Sequence, residues 1–217
     1  MIEFATKFLS TLETTEENLK PIPPGKSTTK PAPDKWSARE ILGHLIDSAI
    51  VNTQRFLNAQ TQEHLVFSGY PQNQYVKSQK YQEQDWQQLI QTWKQINLHL
   101  KEIVERIPQS VLDKPHHKHN FHEIAFRSVT AEEPSTLRFL IEDYHLHMVH
   151  HLNQIFRLHG LDFLTFPPFV KGDYPPQRIR LWRKGDFDSF ILNLKIISLF
   201  MSSYFKSPCP SKRSQTL

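Results

Sequence analysis

Cysteine is nearly absent: Cys209 is the single one in 217 residues, which excludes a disulfide-stapled scaffold. Glycine is scarce as well, with six in the chain and none between Gly69 and Gly160. Few strand-type alternations occur in that stretch, and both facts favour helices over a sheet protein. No signal peptide is visible, because Met1-Ile2-Glu3-Phe4 lacks a basic start and an apolar run. The expected compartment is therefore the cytosol. A clean membrane-spanning run is missing too. The apolar stretch from Phe187 to Phe205 carries Asn193 and Lys195 near its middle, and a central lysine costs roughly 2.5–3.5 kcal/mol on insertion scales. Membrane contact by this segment is not expected. Finally, most of the chain has no excess charge of either sign. Up to residue 159, 17 Lys and Arg face 18 Asp and Glu, whereas from residue 160 onward 9 face 4. The net charge of +4 thus arises in the C-terminal segment, and the basic folded face of a nucleic-acid protein is not expected.

What the chain does contain is apolar and aromatic mass: 38% hydrophobic residues, with 15 Phe, 6 Tyr and 4 Trp. That suffices for a core and excludes disorder throughout. Four helical segments are predicted. The first runs from Ile2 to about Lys20 on the spacing of Phe4, Phe8, Leu9, Leu12 and Leu19. Five prolines between Pro21 and Pro33 enforce an extended connection. The second helix opens at Ser37, where Ser37 and Glu40 form a capping box, and runs to about Ala59. A polar loop containing Gly69-Tyr70-Pro71 follows. The third helix caps at Asp85 and repeats apolar residues from Trp86 to Ile107 before Pro108 stops it. After a long connection, the fourth runs from about Ser135 to Leu158 and stops at Gly160. The expected fold is all-α, a four-helix bundle over 1–160 with crossover connections. Residues 161–217 form an atypical basic C-terminal extension that is expected to pack poorly. No internal repeat is visible.

Histidine is the outlier, with eight of 12 falling between His116 and His151. On a helical wheel, His147 and His151 lie one turn apart in the core-facing stripe of the fourth helix, with Leu140, Tyr144, Ile155 and Leu158. His145 points the opposite way, and His150 sits at the border. Imidazoles at i and i+4 can converge on one ion. Buried without partners, each would cost about 1–3 kcal/mol. Periodicity alone leaves metal ligands and hydrogen-bonded histidines equally open. A third ligand would have to come from another helix, and His44 is the candidate, on a polar strip with Glu40, Asp47, Ser48, Val51 and Arg55. Three neutral imidazoles would hold zinc or nickel with positions left open. The cluster from His116 to His122 has no helical register and reads as a solvated loop.

The stretch from Lys35-Trp36-Ser37 through Gly43-His44-Leu45-Ile46-Asp47 resembles the second-helix signature of the DinB-like superfamily. The fourth helix, from Phe139-Leu140-Ile141 through His147, His150, His151 and Gln154, resembles its second motif, and the similarity extends over residues 4–158. This resemblance implies an up-down-down-up bundle whose metal ligands are, by position, His44, His147 and His151. It passes over His150, and Met148-Val149 stands where relatives tend to carry Leu-Glu. Relatives look like transferases or isomerases that use a low-molecular-weight thiol, so the resemblance implies a metal-dependent S-transferase acting on a small electrophilic substrate. A metal-binding bundle without turnover (stress-linked or a sensor) and a metal-dependent hydrolase are the alternatives. Asp47 is the candidate to orient an imidazole or take a proton, and Asp143 a candidate support for the ligands. Arg55 is the candidate to hold the carboxylate of an anionic thiol cofactor, a structural ion pair being the alternative. A homodimer is expected by resemblance. Residues 165–217 have no counterpart in the family.

Overall fold

The hydroxyl of Ser37 accepts from the Glu40 backbone N–H while the Glu40 carboxylate accepts from the Ser37 N–H. This reciprocal cap starts a 22-residue helix from which the rest of the structure is conveniently described. The structure is a computed structural model that describes residues 2–162 and 164. The expected extension over 161–217, with its apolar run and Cys209, lies outside the described residues apart from 161, 162 and 164.

In chain order the helices are α1 (Ile2–Leu19), α2 (Pro24–Ser27), α3 (Ala38–Ala59), α4 (Gln72–Ser78), α5 (Trp86–Glu105), α6 (Gln109–Leu112), α7 (Phe121–Ile124) and α8 (Leu137–His159), with a 3₁₀ turn at Tyr81–Glu83. No strand occurs among the described residues, and no described helix is long and apolar enough to cross a membrane.

Four long helices form the bundle, and cross-helix contacts fix their directions. The Trp86 indole donates to the Leu19 carbonyl and Lys94 pairs with Glu16, so α5 runs antiparallel to α1. His145 meets Phe4, Phe8 and Thr11, while Leu158 and His159 share a cleft with Glu17. Hence α8 runs parallel to α1. His44 meets His147 and His151, and Phe56 meets Tyr144, which makes α3 antiparallel to α8. The order is up-down-down-up, as the resemblance implies. Trp86, Trp93, Phe8, Phe56 and Phe156 are fully buried between the layers, and burying each aromatic contributes roughly 1.5–3 kcal/mol.

The four long helices lie where the sequence periodicity predicts them, within two residues at each end. Two connections differ. The loop after α3 folds into α4 and the 3₁₀ turn, whose Tyr81 is buried against α3. The segment before α8, expected as a solvated loop, is solvated only in part: His117 and His122 are exposed, whereas His116 and His119 are buried. Their rings meet the Glu63 and Glu133 carbonyls at 2.9 and 2.8 Å, and short bridges pair Leu65 with His119 and His116 with Ser135. Those partners are distant in sequence, so no local pattern announces them. Because Ser135 is engaged there, Thr136 caps α8 instead. Leu158, expected in the core stripe, is 37% exposed. Gly160 ends α8 in the left-handed region at φ 64°, a conformation that glycine adopts without a Cβ penalty.

Gly43 serves close approach. A Cβ there would meet the Tyr81 ring at 2.1 Å. Gly43→Ala is expected to destabilise the fold by about 1–3 kcal/mol through overpacking, read as a lower urea midpoint with an unchanged slope. An unchanged midpoint would show that the ring has room to move.

Candidate metal centre

Two helices supply three imidazoles. Position 44 lies two turns into α3, and its side chain is completely buried. Positions 147 and 151 lie one turn apart on α8 and are half-buried. Because the helices run antiparallel, the three rings meet. Ring centroids are 5.3 Å apart for His44 and His147, 4.7 Å for His44 and His151, and 4.6 Å for His147 and His151. One ligand nitrogen from each ring lies within 4.8 Å of the others. Nε2 of His44 and Nε2 of His147 are 3.4 Å apart. A tetrahedral zinc site with bonds of about 2.0–2.1 Å needs neighbouring nitrogens about 3.3 Å apart. Among the described residues no other three such side chains bring their ligand atoms together in this way. The donor set therefore fits a divalent cation.

Electrostatics agree. Burial pushes His44 from its ordinary value of 6.5 down to about 3, helped by the nearby His151. Burial likewise takes His151 to about 4 and His147 well below 6.5. At neutral pH all three rings are uncharged and offer lone pairs. The Nδ1–H of His151 donates to Gln154 Oε1 at 2.9 Å, and the Gln154 amide donates to His150 Nε2 at 3.0 Å. The first bond fixes the His151 tautomer with its Nε2 free. His150 is therefore linked to the cluster through Gln154 and stays outside the group of three.

Aromatic rings wall the cluster. Trp36 lies 5.0 Å from His44 and 6.3 Å from His151, Tyr70 is stacked on His44 at 6.4 Å, and Phe126 lies 5.7 Å from His147. Phe126 is held there by Asp143, whose carboxylate accepts from the Phe126 and Arg127 backbone N–H groups at 2.7 and 2.8 Å and pairs with the Arg127 side chain. Asp143 thus supports the wall, and its hydrogen bonds run to the loop before α8 and not to an imidazole.

Asp47 accepts the Tyr81 hydroxyl at 2.7 Å on Oδ1, while Oδ2 is buried without a partner among the described residues. Burial raises its pKa, and the Tyr81 hydrogen bond lowers it by less. Arg55 is buried; one of its terminal nitrogens donates to the Ser68 carbonyl at 2.9 Å, and the other lies 3.4 Å from Asn52 Oδ1. It forms no ion pair with a carboxylate among the described residues. Sequence reasoning missed Gln154 and Phe126 as parts of the site, and missed that Tyr70 covers His44. The Gly69-Tyr70-Pro71 turn was visible, but its distance from α3 was not.

The sequence profile of the DinB superfamily matches residues 7–155. No curated protein sequence matches the chain. The fold is similar to that of YfiT from Bacillus subtilis, described as a probable metal-dependent hydrolase with an unusual four-helix bundle topology. That likeness has a TM-score of 0.56 at 16% identity over 75% of this chain and 91% of that one. A DinB-like protein of Bacillus subtilis, YjoA, overlays with a TM-score of 0.48 at 19% identity, covering 76% and 96% of the two chains.

The lowered histidine values have a consequence for stability. Between pH 6.5 and about 3, the unfolded chain binds protons at His44 and His151 that the folded chain does not, so stability falls as pH falls through that window. The urea midpoint of chelator-treated protein should drop steadily from pH 7 to pH 4.5. His44→Leu should flatten that slope. Equal slopes in the two proteins would contradict the burial argument.

Proposed function

Because the chain belongs to the DinB superfamily, we propose that it is a metal-dependent enzyme in which His44, His147 and His151 hold one divalent cation, zinc or nickel. Its reaction in this reading is the transfer of a low-molecular-weight thiol to a small electrophile. The observation that carries the proposal is the meeting of three neutral imidazoles whose ligand nitrogens lie within 4.8 Å of one another, with those of His44 and His147 3.4 Å apart. When bound, the cation would supply Lewis acidity that lowers the pKa of a thiol.

The remaining work falls to the chain. Gln154 keeps His151 in the ligating tautomer. Trp36, Tyr70 and Phe126 reduce water around the rings, which strengthens every polar interaction between them. Asp47 acts as proton acceptor through Oδ2, its unpartnered oxygen, while Tyr81 fixes the orientation of the carboxylate. In the step itself the thiol gives its proton to Asp47, the sulfur–carbon bond forms, and the leaving group departs with its electron pair.

A second reading, hydrolysis with water as nucleophile, is favoured by the fold shared with YfiT, described as a probable metal-dependent hydrolase. The proposed setting for either is a cytosolic homodimer with a small-molecule substrate.

Purified protein should carry one equivalent of divalent metal and consume 1-chloro-2,4-dinitrobenzene only when a small thiol is present, and His147→Ala should abolish both. Hydrolysis of a p-nitrophenyl ester without added thiol would select the second reading. Stoichiometric metal with neither activity would overturn both and leave a binding bundle. Gln154→Ala should keep the fold and weaken metal affinity by about 10–100-fold, as expected for the loss of an outer hydrogen bond to a ligand; wild-type affinity would remove Gln154 from the account.

A further inference from the structure

Arg55 carries a charge that the described chain does not answer. Its side chain is 6% exposed. Its hydrogen bonds go to neutral acceptors, the Ser68 carbonyl and the Asn52 side chain. Its Nε is buried with no partner among the described residues. Asp47, on the same face of α3, does not serve as counter-ion, since its one bonded oxygen goes to Tyr81. Taking a cation out of water without an opposite charge is costly, and an apolar side chain of similar size would pack there at less expense. A buried cation kept in that state points to a ligand that neutralises it.

The surroundings connect it to the histidines. Arg55 lies eleven residues beyond His44, three turns along one face and about 16 Å along the helix axis. Helical side chains lean toward the N-terminus, so the guanidinium leans back toward His44. Tyr70 spans the interval. Its phenol lies near Ser48 and the Arg55 guanidinium, and its ring is stacked on His44. A row of buried or half-buried polar groups thus runs from the imidazoles through Ser48 and Tyr70 to the guanidinium.

We propose that Arg55 is the anion-recognition residue of this site, and that the small molecule bound across it carries a carboxylate at the end remote from the histidines. One guanidinium beside a neutral phenol balances one negative charge. That is the charge of a carboxylate, whereas a phosphate monoester carries about −1.5 to −2 at neutral pH. The recognition of the anion stands on Arg55 alone; only the statement of which end reacts rests on the proposed metal chemistry.

The test uses matched probes and calorimetry. Zinc-loaded protein should bind 6-mercaptohexanoate at least tenfold more tightly than 6-mercaptohexanol, a difference of about 1.4 kcal/mol. Arg55→Met should erase the preference and Arg55→Lys should keep part of it. Chelator-treated protein should still bind hexanoate in an Arg55-dependent way, so this inference can survive failure of the metal reading. Without ligand, Arg55→Met should melt no lower than wild type, because an unanswered buried charge is removed. An unchanged carboxylate preference in Arg55→Met overturns the proposal. So does a lowered melting temperature together with equal binding of the two thiols by the wild type, which would make Arg55 a brace for Ser68.

Discussion

Three imidazole rings facing one another across two antiparallel helices are the constraint on which the rest of the structure depends. The three rings do not satisfy one another: Nδ1 of His44 is buried with no partner among the described residues, and Nδ1 of His151 turns outward to Gln154. A bundle that needed stability alone would place leucine at positions 44, 147 and 151. The fold instead keeps the rings uncharged by burial and braces them with aromatic walls and a glutamine. Much of the chain beyond the four long helices serves that end.

Each connection contributes a wall or a clamp. The turn before α3 brings Trp36 over His44, the loop after α3 brings Tyr70, and the segment before α8 brings Phe126, pinned through the buried Asp143. Gly43 lets Tyr81 pack onto α3 and meet Asp47. The polar residues of α3, from His44 through Asp47 and Ser48 to Arg55, are buried along with the apolar ones. That pattern costs stability in a core and is characteristic of a surface built to receive a ligand.

The parts legible in the sequence were those governed by local rules. Capping at Ser37 and Asp85, the three-and-four spacing of α5 and the stop at Gly160 depend on neighbours within a few residues, and each lies where those neighbours put it. The His147 and His151 pair was visible as a helical i, i+4 motif. His44 entered as a candidate beside it, although its meeting with that pair depends on a long-range antiparallel contact that no spacing contains. Equally hidden were the burial of His116 and His119, whose partners lie 14 to 53 residues away, and the link from His150 to His151 through Gln154. Arg55 was visible as a polar residue on the right face, but its lack of a carboxylate partner among the described residues is a property of packing alone.

The most direct measurement is X-ray absorption at the zinc edge of metal-loaded protein. The account requires scattering from three imidazoles at about 2.0–2.1 Å, falling to two in His44→Ala while the α8 pair is retained. A wild-type spectrum with fewer than three imidazoles, or one that His44→Ala leaves unchanged, would contradict the claim that these three rings share one cation.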